Sequence, residues 1–136
     1  MAGYTVGHIG RGLVIYIGIE IEDQISDLKW GSKKILGLRI FDDNDGRMNL
    51  PVKDDMGILV VSQFTLCGNL KKGYRPSFNK AAQPSQAFAL YEKFLEILGI
   101  SFGGNLETGK FGAKMNIEMK EDGPVTIWLD SHHKSY

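Results

Sequence analysis

At 136 residues, 43% of them hydrophobic and 24% charged, the chain has material for one sizeable core and not for two. Sixteen basic residues cancel sixteen acidic ones, so the molecule as a whole is no polycation and any nucleic-acid contact must come from a local patch. A single cysteine, Cys67, excludes an internal disulfide and suits a reducing compartment, and no apolar run approaches the roughly 20 residues that span a bilayer.

Taken in order, residues 4–7 read as a short strand and Gly10 to Gly12 as a turn. The run LVIYIGI at residues 13–19 is apolar and rich in β-branched side chains, which predicts a buried strand. Glu20, Glu22 and Asp23 place negative charge where a helix would begin. A helix over residues 23–38 follows from Ile25, Leu28, Ile35 and Leu36, with Gly37 marking its end. Arg39-Ile40-Phe41 reads as a short strand leading into the turn Asp42 to Gly46. That acidic turn is not a calcium loop: counted back from Gly46, the first and twelfth ligand positions would be Phe41 and Val52. Asp45-Gly46 is hairpin chemistry instead.

Ile58-Leu59-Val60-Val61 predicts a strand buried on both faces, and it delivers the polar cluster Ser62-Gln63-Phe64-Thr65. A loop with Lys71, Lys72, Gly73 and Arg75 comes next, readable either as an anion contact or as an ordinary solvated turn. Residues 84–98 give the clearest helix, with Pro84 at its start, an apolar stripe of Phe88, Tyr91, Leu95 and Leu98, and Gly99 as the residue that stops it. Gly103 and Gly104 open a loop, and residues 108–113 form a second small-residue segment. Met115, Ile117 and Met119 alternate with polar residues as in a half-buried strand, Asp122-Gly123-Pro124 is a turn, and residues 125–129 make a last strand. About seven strands and two main helices, without regular βαβ alternation, indicate an α+β domain with a mainly antiparallel, barrel-like sheet.

No familiar set of catalytic side chains is present. The three histidines, His8, His132 and His133, lie near the two ends of the chain, and there is no GxSxG, HExxH, CxxC, phosphate-binding or dinucleotide-binding motif. No metal or cofactor is expected. What remains is a pocket built from small polar residues and backbone groups, which can stabilise an oxyanion without a titratable side chain.

Five segments, SQFTL at 62–66, GYRPSF at 73–78, TGKFGAKM at 108–115, DGPVT at 122–126 and LRIFDDNDGRMNL at 38–50, resemble the D-aminoacyl-tRNA deacylases in order and spacing. The resemblance covers residues 6–131, and the set is specific where SQFTL alone would be weak. It implies one deacylase domain over residues 1–136 with a homodimeric α+β fold. The implied reaction is hydrolysis of the ester between a D-amino acid and the tRNA 3′ end, including glycine mischarged on tRNA. It implies a Gly-cisPro pair, matched by Gly123 and Pro124, that reaches into the partner subunit's pocket and rejects L-aminoacyl substrates. Ser62, Gln63, Phe64 and Thr65 match the catalytic motif. Phe111, Ala113, Met115, Lys71, Lys72 and Arg75 become candidate pocket or tRNA contacts. The partners are aminoacylated tRNA and a second copy of the chain, with no membrane, and the location is cytoplasmic.

Thr65 is the nucleophile candidate by residue type, yet no base is in view. Attack by water, assisted by the terminal ribose 2′-hydroxyl, with Phe64 and Thr65 N–H groups holding the oxyanion, is the favoured chemistry. A tRNA-binding module without catalysis and a small D-amino-acid ester hydrolase using Thr65 are the alternatives. Two departures from the family pattern stand out. Its usual first strand, often carrying Gln-Arg-Val, is expected to be missing before Val6, and Glu121 occupies a position that is usually Asn.

Overall fold

The computed structural model describes residues 4–134. Strand β1 (Gly12–Ile17) is followed by helix α1 (Ile25–Gly37) and a short hairpin of β2 (Phe41–Asp42) and β3 (Met48–Leu50). Strand β4 (Gly57–Ser62), a 3₁₀ turn (Phe64–Cys67), helix α2 (Pro84–Ser101) and strand β5 (Asn105–Thr108) complete the regular elements. No described helix is long and apolar enough to cross a membrane.

The main sheet has the order β1-β4-β5, and both pairings are parallel. This corrects the expectation of a mainly antiparallel, barrel-like sheet. A parallel neighbour requires a crossover, and α2 provides it between β4 and β5. The sheet is open, and the antiparallel pairing between named strands is confined to the β2–β3 hairpin. Strand β5 is short and carries one apolar residue, Leu106, so the sequence reads as loop where the crossover in fact lands. The strands expected at 4–7, 115–119 and 125–129 are irregular chain, without a ladder partner among the described residues. The α+β class and the two helices stand.

Strands β1 and β4 begin at a contact that only glycine allows. Gly12 is in register with Gly57, and a Cβ on Gly12 would lie 1.7 Å from the Gly57 carbonyl oxygen. The core forms where α1 and α2 meet one face of the sheet, joining Leu28, Tyr91, Phe94 and Leu98 to Ile58 and Val60. Those side chains recur at helical spacing on α2 and at alternate positions on β4, as each periodicity demands. The buried stripe of α2 is centred on Phe94 rather than Phe88, which is exposed, or Leu95, which is only partly covered. The helix also runs past Gly99 to Ser101, closing with the Phe102 N–H on the Leu98 carbonyl at 2.9 Å.

Helix α1 begins at Ile25, two residues later than its acidic start suggests. Asp23 instead closes the preceding turn, its Oδ2 accepting the Glu20 N–H at 2.7 Å. Asp27 caps the helix by accepting the Gln24 N–H at 2.8 Å. Burial works against the Asp27 charge, but that N–H, the Ser131 hydroxyl, His132 and Lys134 outweigh it and hold the carboxyl below its usual range. In the hairpin, Gly46 has φ 73° and Asp43 Oδ1 accepts the N–H groups of Asp45 and Arg47 at 2.9 and 3.0 Å. This is the turn chemistry read from the sequence.

Candidate active site

In a parallel sheet, ligands gather beyond the carboxyl ends of the strands. Here β1 ends at Ile17, β4 at Ser62 and β5 at Thr108, and a cavity of about 190 Å³ opens beyond them. Its floor is Ile17, Ile19 and Val61. Ser62, Gln63 and Phe64 form one side, and Phe111, Gly112, Ala113, Met115 and Ile117 another. Ala82, Ala87 and Tyr91 close it from α2 and the chain before it.

The two loop walls are tied together. The Gly112 N–H donates to Ser62 Oγ at 3.4 Å, and the Gly109 N–H donates to the Val60 carbonyl at 3.0 Å. The Gln63 N–H donates to the Ile17 carbonyl at 2.8 Å, so the polar cluster stays in line with the sheet for one residue after β4 ends. Phe111 packs edge-on to Phe88 at 5.2 Å and tilted to Tyr91 at 5.2 Å, which fixes the aromatic back of the cavity. Burial first, then Glu92, push the Tyr91 hydroxyl up from its ordinary pKa, against a hydrogen bond with Thr108.

Of the residues expected at the site, Ser62, Gln63, Phe64, Phe111, Ala113 and Met115 line this cavity. Thr65 does not. It sits exposed in the 3₁₀ turn, and its hydroxyl accepts a hydrogen bond from the Gln63 side-chain amide. An amide N–H is a donor and cannot take the Thr65 proton. Among the described residues, neither the Phe64 N–H nor the Thr65 N–H has an acceptor within the chain. Phe64 is 61% exposed and packs edge-on against Phe78 at 5.1 Å, which leaves one ring face free.

Lys71, Lys72 and Arg75 ride on an exposed loop outside the cavity, closed by two hydrogen bonds between Asn69 and Ser77 at 2.8 and 2.9 Å. None of the three forms an ion pair among the described residues. Gly123 and Pro124 are joined by a cis peptide bond, with Gly123 at φ 126°. Both are exposed and neither lines the cavity of its own chain. Glu121 is exposed as well.

Sequence reasoning missed Tyr91, Ala87 and Ala82 as cavity residues. Tyr91 was legible as a core aromatic, and it is one, but its ring also meets Phe111 at the back of the cavity. The two alanines carry no chemical signal. They matter because small side chains leave space.

Residues 1–130 match a family model described as D-Tyr-tRNA(Tyr) deacylase. The chain is 53% identical over 128 residues to a D-aminoacyl-tRNA deacylase of Thermotoga petrophila, covering 93% of this chain and 85% of that protein. It is 49% identical over 135 residues to the D-aminoacyl-tRNA deacylase of Chloroherpeton thalassium, covering 98% and 89%. A solved structure named c-Myc DNA Unwinding Element Binding Protein superposes with a TM-score of 0.81 at 41% identity, over 88% of this chain and 81% of that one. A structure described as a probable eukaryotic D-amino acid tRNA deacylase shares the fold at TM-score 0.64 and 20% identity, over 78% of this chain and 77% of that one. A family model spanning nearly the whole chain, together with half-identical relatives of similar length, places this protein in the D-aminoacyl-tRNA deacylase family.

Proposed function

We propose that the protein hydrolyses the ester between a D-amino acid and the 3′ end of tRNA in the cavity beyond β1 and β4, acting as a single domain over residues 1–136. The observation that carries this reading is the meeting of two family segments, Ser62 to Phe64 and Phe111 to Met115, in one cavity that holds no imidazole or carboxylate. With Thr65 bonded to a donor, water is the nucleophile, and the terminal ribose 2′-hydroxyl assists it. The unpartnered N–H groups of Phe64 and Thr65 hold the oxyanion. Such donors contribute through charge that develops only in the transition state.

The free face of Phe64 stacks on the terminal adenine, and Lys71, Lys72 and Arg75 meet phosphates. Chirality comes from a second copy. The carbonyls of its Gly123 and Pro124 meet the substrate amino group and Cα, so an L side chain collides with backbone and a D side chain points away. Glycine has no side chain to reject, and glycyl-tRNA is therefore cleaved too. The chain of residues 114–130 supports pairing with a second copy: it forms no regular element, has no ladder partner among the described residues, and leaves Ile117, Met119, Ile127 and Trp128 uncovered. Charged tRNA as substrate puts the enzyme in the cytoplasm.

The test is a deacylation time course on D-Tyr-tRNA and L-Tyr-tRNA side by side. Rapid loss of the D ester with the L ester intact is expected. Binding of tRNA without loss of either ester would replace this reading with that of a binding module. Fast cleavage of simple D-amino-acid esters, abolished by Thr65→Ala, would replace it with that of an ester hydrolase.

A further inference from the structure

Away from the cavity walls, the turn after β1 and the end of the described chain bring three metal-ligating side chains together. We propose that Glu20, Asp23 and His132 form a site for one divalent transition-metal ion of the zinc type. One donor atom from each residue lies within 4.8 Å of the other two. His132 Nε2 is 2.6 Å from Asp23 Oδ1, although the two residues are 109 positions apart.

The ligands are held in place rather than merely near one another. Asp23 Oδ2 accepts the Glu20 N–H at 2.7 Å, so the turn fixes the Asp23 carboxylate, and the Glu20 side chain leaves from the same turn. The His132 N–H donates to Asp130 Oδ1 at 2.9 Å, so a turn presents the imidazole. Asp23 Oδ1 and Glu20 each keep oxygen lone pairs for an ion, and His132 offers Nε2 once the ion displaces the proton that this nitrogen donates to Asp23 Oδ1. Tetrahedral zinc holds nitrogen and oxygen ligands at about 2.0–2.2 Å. Its ligands then stand about 3.3 Å apart, which a small opening of the His132–Asp23 contact provides.

Charge favours a cation. The Asp23 side chain is only 10% exposed, and no lysine or arginine pairs with Asp23 or Glu20 among the described residues. One imidazole with two carboxylates suits zinc, cobalt or manganese better than calcium or magnesium, which take oxygen ligands alone. Three protein ligands leave a position for water. The ion fastens the last described turn to the start of α1, and this role does not depend on the reaction proposed for the cavity.

The experiment is a titration of chelator-stripped full-length protein with zinc by calorimetry and with cobalt(II) by visible absorption. One ion per chain is expected, with cobalt d–d bands. His132→Ala and Glu20→Gln should each weaken binding at least tenfold and diminish those bands, with far-UV circular dichroism unchanged. No hydrogen bond in the described residues uses the Glu20 carboxylate, so that variant keeps the proposal testable if the other perturbs folding. His133→Ala should leave binding unchanged. No saturable binding, or binding that survives His132→Ala and Glu20→Gln but is lost in His133→Ala, would overturn the assignment.

Discussion

The Ser62 hydroxyl accepts the Gly112 N–H at 3.4 Å, joining the end of β4 to a loop 50 residues later. A hydrogen bond of this kind contributes about 0.5–1.5 kcal/mol. If Ser62 only orders the loop, Ser62→Ala should lower kcat/KM on D-aminoacyl-tRNA by about two- to tenfold. Tm should fall by only about 2–5 °C. Single-turnover deacylation is the check, and a loss of a thousandfold or more would show Ser62 taking part in the chemistry itself.

Lys71, Lys72 and Arg75 are exposed and unpaired among the described residues. Neutralising one of them should weaken tRNA binding about equally for all sequences and reduce the slope of log K against log salt by about 1. Filter binding of Lys72→Ala across a salt series reads this out. A slope equal to that of the parent protein would mean the loop faces solvent when tRNA is bound.

Gly12 and Gly57 face each other across the first rung of the β1–β4 ladder. A methyl group at Gly12 would sit 1.7 Å from the Gly57 backbone oxygen and 2.7 Å from its carbonyl carbon, so strand backbone would have to move. Gly12→Ala should destabilise the fold by about 3 kcal/mol, which lowers Tm by roughly 10 °C in a chain of this size. Calorimetry should show this loss even though the position is a strand end far from the Ser62 terminus of the same sheet.

Cys67 is buried, with its thiol 3.7 Å from the Ile19 carbonyl. Burial first, then the charges of Glu20 and Asp23, push its pKa up to about 11. The reactive species is the thiolate, so at pH 8 the residue should alkylate far more slowly than a free thiol, and its rate should still be rising at pH 10. Deacylation after prolonged treatment with iodoacetamide at pH 8 should be unimpaired. Rapid labelling at neutral pH would contradict the burial.

How much of this was legible in the sequence depended on whether the decisive contact was local. Strand β4 and helix α2 announced themselves, because a continuous apolar run and a 3.6-residue periodicity are properties of a single segment. The register of α2 was harder to read: with Phe88, Phe94 and Leu95 all apolar, the choice of Phe94 for the core was made by the sheet beneath it. Parallel pairing was hidden by β5, whose Asn105, Glu107 and Thr108 look like loop residues and are held as strand by β4. Met115, Ile117 and Met119 alternate in the sequence, but a half-buried strand needs a partner, the described chain offers none, and Ile117 and Met119 stay exposed.

The same division holds at the site. Ser62 and Gln63 were legible as polar residues delivered by a buried strand. That the Gln63 side-chain amide would meet the Thr65 hydroxyl could not be read from residue types, and the contact gives Thr65 a donor rather than a base. His132 looked like an unstructured tail residue because its partner, Asp23, lies at the other end of the chain.

The cavity has walls of unequal firmness. β4 is bonded on both edges, whereas residues 109–117 hold no ladder and rest on isolated contacts such as Gly112 to Ser62 and Ala113 to Lys110. Local opening of such a segment costs far less than global unfolding, so part of the affinity for substrate goes into quieting that wall. A substrate that fills the space beside Ala113 and Met115 gains a closed chamber along with its contacts. A truncated one leaves the chamber open to water. Trimming the amino acid should therefore lower turnover as well as binding, because the missing atoms had held the reacting ester still.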